Sequence, residues 1–265
     1  MELVNLIAQY HKLGVADVID YERFNLISID HHSTRIEGST LTAVETQVLI
    51  NEGRTPNGKP LEESLMVTDH HAALIFTLEN ANSKRQLSAD LLKQINAAVM
   101  RNTGKVYNTM LGTVDARTGA FRKGNVTAGV SYFPNFDKVE TLTEELVKKL
   151  NDAMQGTLPI AEQLNLSFDA HFNMVSIHPY YDGNGRTSRL LMNYIQAFYE
   201  LPLAIVRSEN KAAYIQALID TREQEDMQIF RDFMVSEYSF MLSTEIKKFE
   251  EMKKPSSGTG FSLLF

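Results

Sequence analysis

The chain contains no cysteine. No disulfide, thiolate metal site or cysteine nucleophile can therefore form. The absence fits a reducing compartment, and a cytoplasmic location is the expectation. The stretch Met1 to Asn5 is not a basic segment followed by an apolar run, so no signal peptide is expected. No uninterrupted apolar run of roughly 18 residues occurs, so no membrane-spanning helix is expected. Basic charge is in deficit: 26 Lys and Arg stand against 33 Asp and Glu, a net charge of −7. That balance argues against a nucleic-acid partner, which needs a basic face. There are no internal repeats.

The rest is an ordinary globular composition. Of 265 residues, 43% are hydrophobic and 22% charged, enough for one large domain or a domain with an appendage. Apolar residues at helical spacing predict helices over 2–13 and about 16–36. Gly38 is placed to stop the second. Thr42 with Glu45 three residues on is a capping-box pattern opening a helix to about Asn51. Helices are then predicted at about 62–80, 89–101, 137–154, 159–176, 184–199, 209–223 and 226–250. Between 103 and 135 the pattern changes, with glycines at 104, 112, 119, 124 and 129. Val126-Thr127 and Val130 to Phe133 are β-type pieces, so loop plus one small hairpin is expected there. The segment from Lys254 to Gly260 reads as a flexible tail closing on Phe261 to Phe265. The fold class is thus mostly α with one small β element.

The chemistry gathers in twelve residues, His178-Pro179-Tyr180-Tyr181-Asp182-Gly183-Asn184-Gly185-Arg186-Thr187-Ser188-Arg189. Asp182 and Asn184 with two glycines read as a tight turn feeding a helix N-terminus. Such a terminus presents free N–H groups and a positive dipole end, which suits an anion. Glycine lets the backbone approach a phosphate closely. Arg186 and Arg189, three apart on the new helix, can project to one side and grip phosphate oxygens. Asp182 is a hard oxygen ligand of the kind Mg²⁺ takes alongside phosphates. His178 is placed to act as a base near neutral pH. Together these residues point to phosphoryl or nucleotidyl transfer.

The segment resembles the signature of the Fic family, His-Pro-Phe-x-Asp/Glu-Gly-Asn-Gly-Arg-x-x-Arg, with Tyr180 in place of Phe. The resemblance spans about residues 85–240 and implies a Fic-type helical bundle with a β-hairpin flap upstream of the motif. Gly119 to Arg122 followed by Val126 to Pro134 looks like that flap. The resemblance implies an adenylyltransferase that moves AMP from ATP to a Tyr, Thr or Ser hydroxyl of a target protein. In that reading His178 takes the hydroxyl proton and Asp182 holds Mg²⁺. Gly183, Asn184, Gly185 and Arg186 position phosphates, and Arg189 orients the γ-phosphate. Gly129, Val130, Ser131 and Tyr214 join the nucleotide site, and the flap near 127–134 pairs with the target segment. His171 reads either as support for the motif loop or as a packed core histidine. Whether the protein modifies itself, and whether it is a homodimer, stay open.

A second constellation, Ser33-Thr34-Arg35-Ile36-Glu37-Gly38, resembles the inhibitory motif of Fic proteins, Ser/Thr-x-x-x-Glu-Gly/Asn. Independently, a carboxylate at a helix C-terminus is disfavoured by roughly 0.3–1 kcal/mol and gains from a cationic partner. The resemblance supplies one: Glu37 pairs with Arg189, and Ser33, one turn earlier, is expected to support Glu37. Two further readings stay open, a hydrolase that uses Glu37 to remove AMP and a largely inactive nucleotide-binding module. The expected division is a helical region carrying the inhibitory helix at 1–84, a Fic domain at 85–240, and a helix end with tail at 241–265.

Two patterns read as decoys. Gly53 to Lys59 has P-loop spacing, but Pro60 replaces the required Ser or Thr and no strand precedes it. His31-His32 and His70-His71 lack the further ligands of a metal site and read as solvated or packed.

Overall fold

A computed structural model of the protein describes residues 2–17, 21–129 and 131–253. The expected 254–265 tail lies outside these residues. Ten α-helices occur among them: α1 Glu2–Leu13, α2 Tyr21–Ile36, α3 Ala43–Glu52, α4 Leu61–Asn82, α5 Ala89–Val99, α6 Val139–Met154, α7 Ile160–Ile177, α8 Asn184–Phe198, α9 Lys211–Gln224 and α10 Met227–Lys253. No helix among the described residues is long and apolar enough to cross a membrane.

The bundle is built around α8. Its stretch from Leu190 to Ile195 is almost fully buried, polar Asn193 included. A helix apolar on nearly every side must be covered on every side. Helix α7 packs along it, α4 and α5 cover another flank, and α2 reaches it beside α4. Helix α6 lies against α7, and α10 packs on α7, α9 and α1. The helix runs unbroken across position 240. Local signals set the boundaries. Thr42 Oγ1 accepts from the Glu45 N–H at 3.2 Å while Glu45 Oε2 accepts from the Thr42 N–H at 2.8 Å. Gly53, at φ +67°, closes that helix. Ser88 caps α5 through the Leu91 N–H.

The β content differs from expectation. Among the described residues there are two hairpins, β1 Val106–Thr109 with β2 Gly112–Asp115, and, where one was expected, β3 Thr127–Ala128 with β4 Ser131–Tyr132. Both are antiparallel, with Thr109 opposite Gly112 in the first and Ala128 opposite Ser131 in the second. The first escapes a sequence reading because its two-residue loop is Met110-Leu111, without the Asn-Gly or Asp-Gly dipeptide that marks a tight hairpin. Residues 119–126 form loop, not strand.

Helix α2 is fastened to α4 by a buried cluster. Asp30, with no exposed surface, accepts from His70 Nδ1 at 2.7 Å and from His71 Nδ1 at 2.6 Å. His32 Nδ1 accepts from the Ser208 N–H at 3.2 Å. The paired histidines are therefore packing and hydrogen-bonding residues. Among the described residues no group of three ligating side chains could hold a metal. The P-loop-like segment is a surface loop, with Lys59 Nζ donating to the Thr40 carbonyl at 3.1 Å.

Candidate active site

Helix α7 ends at Ile177, and the chain reverses into α8 within six residues, 178–183. Two left-handed residues make the reversal. His178 has φ +52° and Gly183 has φ +79°. A Cβ on Gly183 would lie 2.7 Å from Asn96 Nδ2 and 2.8 Å from Met100 Sδ, so no other residue fits without displacement. Asn184 locks the loop from inside. Its Oδ1 accepts from the Tyr180 N–H and its Nδ2 donates to the Tyr180 carbonyl, both at 2.9 Å. Asn96 Nδ2 donates to the Asp182 carbonyl and to Thr187 Oγ1, each at 3.1 Å.

His178 is half-buried, its ring stacked on Phe133 at 3.9 Å between centroids. Burial lowers its pKa to about 4, with help from Arg122 and Arg222 and against the Val175 carbonyl and Glu37. At neutral pH the imidazole is thus uncharged. Its Nδ1 lies 3.3 Å from the Val175 carbonyl, an acceptor, so the proton sits on Nδ1 and Nε2 keeps a lone pair.

A cavity of about 550 Å³ opens at this point, lined among others by His178, Gly185, Arg189, Tyr214, Glu37 and Phe133. Gly129 and Ser131 of the flap also line it, whereas Val130 lies outside the described residues. Lys211 and Arg222 add positive charge to its wall. Tyr214 is 2% exposed, and its hydroxyl is engaged with His171 Nε2 at 3.0 Å. Its ring forms wall, and its polar end faces the core. His171 is fully buried and, of the two roles open to it, takes the packed one; burial lowers its pKa to about 3, with Arg189 adding to the effect.

The two motif arginines diverge rather than share a side. Arg186, 3% exposed, turns toward Met100 Sδ at 3.3 Å and Asp182 Oδ1 at 3.4 Å. Its Nε and Nη1 are buried with no partner among the described residues. A buried guanidinium with unpaired N–H groups is costly unless an anion completes it. Asp182 is 48% exposed at its side chain, and its Oδ1 accepts from the Gly183 N–H at 2.6 Å. Oδ2 has no partner among the described residues and is open to a hard cation such as Mg²⁺.

Arg189 faces α2. Its Nη2 donates to Glu37 Oε1 at 2.6 Å and to the Ser33 carbonyl at 3.0 Å, and its Nε donates to Ser33 Oγ at 2.9 Å. Ser33 therefore grips the arginine, whereas the sequence reading has it support Glu37. The reason is that α2 ends at Ile36, so Glu37 leaves the helical path that would have stacked it over Ser33. The Glu37 carboxylate sits against the first turn of α8, where a Cβ on Gly185 would come within 2.5 Å of Oε1. Burial pushes the Glu37 pKa up, but Arg189 and Arg186 outweigh it and hold the carboxyl below the usual range.

Sequence reasoning named Arg122 only as the end of a flap segment and gave no role to Asn96, Lys211 and Arg222. Each is a polar residue in a loop or on a helix face, and its proximity to 178–189 arises only through tertiary packing. The first hairpin also abuts the motif, since Tyr107 stacks on Tyr181 at 4.5 Å between centroids.

Residues 86–196 match the sequence profile of the Fic/DOC family. Over 189 residues the chain is 29% identical to the protein adenylyltransferase Fic of Drosophila melanogaster, covering 71% of this chain and 36% of the fly protein. The aligned stretch thus spans about a third of that curated relative. Among solved structures, a Fic domain containing signaling protein from Bacteroides thetaiotaomicron superposes with a TM-score of 0.81 at 22% identity, covering 95% of this chain and 98% of that one. Fic-1 from C. elegans superposes at 0.77 and 22% identity, covering 95% and 73%. Residues 86–196 thus match the Fic/DOC family, and they lie within a helical fold similar to that of solved Fic proteins along nearly the whole chain.

Proposed function

We propose that the protein is an adenylyltransferase that moves AMP from ATP to a hydroxyl side chain of a target protein, and that Glu37 restrains it. The reading rests on one observation above all: the uncharged His178 imidazole and the first turn of α8 open onto one cavity that Arg189 also lines. Nε2 of His178 accepts the proton of the target hydroxyl. The hydroxyl oxygen forms a bond to the α-phosphorus, the bond from that phosphorus to the β-bridging oxygen breaks, and pyrophosphate leaves. The N–H groups of Gly185 and the turn, with Arg186, hold the phosphates in place, and Asn184 acts by keeping that turn closed. Asp182 would hold a Mg²⁺ ion, which supplies charge neutralisation to the phosphates when bound. Arg189 would orient the γ-phosphate, and Glu37 competes for the same guanidinium. Within this reading residues 1–84 carry the restraining helix and 85–240 the catalytic domain.

A second reading draws on Glu37 lining the same cavity as His178. There the carboxylate would position a water that removes AMP from a modified protein. One experiment separates the two. Protein incubated with α-labelled ATP, Mg²⁺ and cell lysate transfers label to protein bands in the first case. In the second it releases AMP from a lysate labelled beforehand. Neither labelling nor release by wild type or Glu37→Gly would refute both.

A further inference from the structure

Arg122 is charged, lies in a glycine- and lysine-containing loop, and yet is only 2% exposed. Burial lowers its pKa, and no carboxylate pairs with it among the described residues. All three of its side-chain acceptors are backbone carbonyls. Nε donates to the His178 carbonyl at 2.8 Å, Nη1 to the Gly124 carbonyl at 2.9 Å, and Nη2 to the Pro134 carbonyl. Its own N–H donates to the Pro179 carbonyl at 2.9 Å.

The positions of those carbonyls carry the argument. Gly124 and Pro134 bracket the β3–β4 hairpin at its two ends. His178 is the left-handed residue that ends α7. One rigid, planar donor fork therefore ties both ends of the flap to the backbone of the base. Phe133, next to Pro134, stacks on the His178 ring and completes the link through side chains. From the other flank Arg222 Nη2 donates to Ser131 Oγ at 3.0 Å, which holds the outer part of the flap. Taking an arginine out of water with no counter-ion is unfavourable unless its hydrogen bonds are fully used. Here they are spent on register between two segments, 124–134 and 178–179.

We propose that Arg122 is a positioning residue that fixes the flap against His178, so that a hydroxyl presented along the flap meets the imidazole in one geometry. The inference rests on the adenylyl-transfer reading. A lysine at 122 keeps the charge but can reach one carbonyl at a time; a glutamine loses the fork and the charge.

The test uses the full chain in a Glu37→Gly background, with Arg122→Lys and Arg122→Gln. Labelling of lysate proteins by α-labelled ATP, free AMP formed in water, the ATP KM, and hydrogen exchange of the backbone amides are measured on each. Misplacement of reacting groups by about 1 Å costs on the order of a hundredfold, so protein labelling should fall roughly ten- to a hundredfold. Free AMP formation and the ATP KM should stay within about threefold, because Asn184 still closes the phosphate-binding turn and the residue-122 N–H still holds the Pro179 carbonyl. Amides of 124–133 should exchange faster while those of α7 and α8 keep their protection. The lysine variant should lie between. If Arg122→Gln does not fold, Arg122→Lys carries the same comparison. Equal loss of labelling, AMP formation and ATP affinity would make Arg122 a general fold residue and overturn the proposal, as would unchanged labelling. If the Glu37→Gly parent labels nothing while folded, the adenylyl-transfer reading itself fails and the inference falls with it.

Discussion

Replacing Glu37 by glycine removes one carboxylate from one guanidinium. The pair is tight, 2.6 Å from Arg189 Nη2 to Glu37 Oε1. The arginine is 4% exposed and the glutamate 30% at its side chain. A hydrogen bond between charged groups contributes roughly 1.5–3 kcal/mol, and the solvent-facing side of Glu37 argues for the lower half, about 2 kcal/mol. Each 1.4 kcal/mol is tenfold, so the arrangement with Arg189 free for a phosphate should rise about thirtyfold. Arg189 should not wander when Glu37 goes, because Ser33 holds it through both Oγ and the carbonyl. The gain should therefore appear in transfer rate, while unfolding stability falls by no more than about the same 2 kcal/mol. Glu37→Gln keeps an acceptor without the charge and should fall between the two. Because the Glu37 pKa is depressed, the pair is present above the ordinary carboxylate range and is lost only as pH falls through the lowered value. Restraint in the wild type should thus persist from neutral into mildly acid solution. The assay is labelling by α-labelled ATP for wild type, Glu37→Gly, Glu37→Gln and Glu37→Gly/His178→Ala. If Glu37→Gly is folded and binds ATP but labels at the wild-type rate, Glu37 is no restraint. If the double variant labels, the released activity does not come from this site.

His178→Ala in the Glu37→Gly background should lose at least about a hundredfold in transfer while ATP binding by calorimetry changes little. With His178 lowered to about 4, the acid limb of the Glu37→Gly rate profile should fall near that pH and not near the ordinary histidine value; a midpoint between 6 and 7 would refute the burial argument. Asp182→Asn should lower transfer and blunt its Mg²⁺ dependence together, since the Oδ2 left without a partner is the one carboxylate oxygen of the turn available to a cation; an unchanged Mg²⁺ titration would place the ligand elsewhere. Gly183→Ala should destabilise the fold by about 1–3 kcal/mol in urea unfolding, from a left-handed backbone and contacts under 3 Å with Asn96 and Met100. Tyr180→Phe should be neutral or stabilising by up to about 1 kcal/mol, because the Tyr180 hydroxyl is buried without a partner among the described residues.

The motif was legible because its chemistry is local. Two glycines, an Asx pair and two arginines at helical spacing sit within twelve residues, so the pattern can be read there, although Asn96 and Arg122 from elsewhere in the chain help to hold the turn. The ten helices were legible for a similar reason, since periodicity and caps act over a few residues. Even there, spacing misled once. Arg186 and Arg189 are three apart, yet Arg186 turns to Met100 while Arg189 turns to Ser33, because different helices cover the two flanks of α8. The groups that sequence missed are those whose partners lie far along the chain. Arg122 binds carbonyls at 134 and 178, Asp30 binds His70 and His71, and nothing local marks either as buried. The Met110-Leu111 hairpin was missed for want of turn residues, although Gly112 at φ +102° was the one available signal.

The anchoring of α2 decides how Glu37 can let go. Asp30 is bound to two histidines of α4, and Thr34 Oγ1 caps the Asp30 carbonyl at 2.7 Å. Ile29 and Ile36 are buried in the same core cluster that includes α8. Removing the helix would uncover those side chains and leave His70, with no exposed surface, without its carboxylate, at roughly 1–3 kcal/mol for the unpaired group alone. Truncation before Thr40 is therefore a perturbation of folding as much as of restraint. Glu37 itself lies past the last residue of α2, in a turn completed by Gly38 at φ +111°. A Cβ on Gly38 would meet nothing within 4 Å, so the turn depends on backbone conformation and not on packing. The N–H groups of Glu37 and Ser39 donate to the Thr34 carbonyl at 3.0 and 3.1 Å and that of Gly38 to the Arg35 carbonyl at 3.1 Å, so the turn backbone is tied to α2 and release of Arg189 falls to the Glu37 side chain. On the proposed reading, restraint of the site then turns on one side chain at the end of a fixed helix, and Glu37→Gly tests it without removing α2.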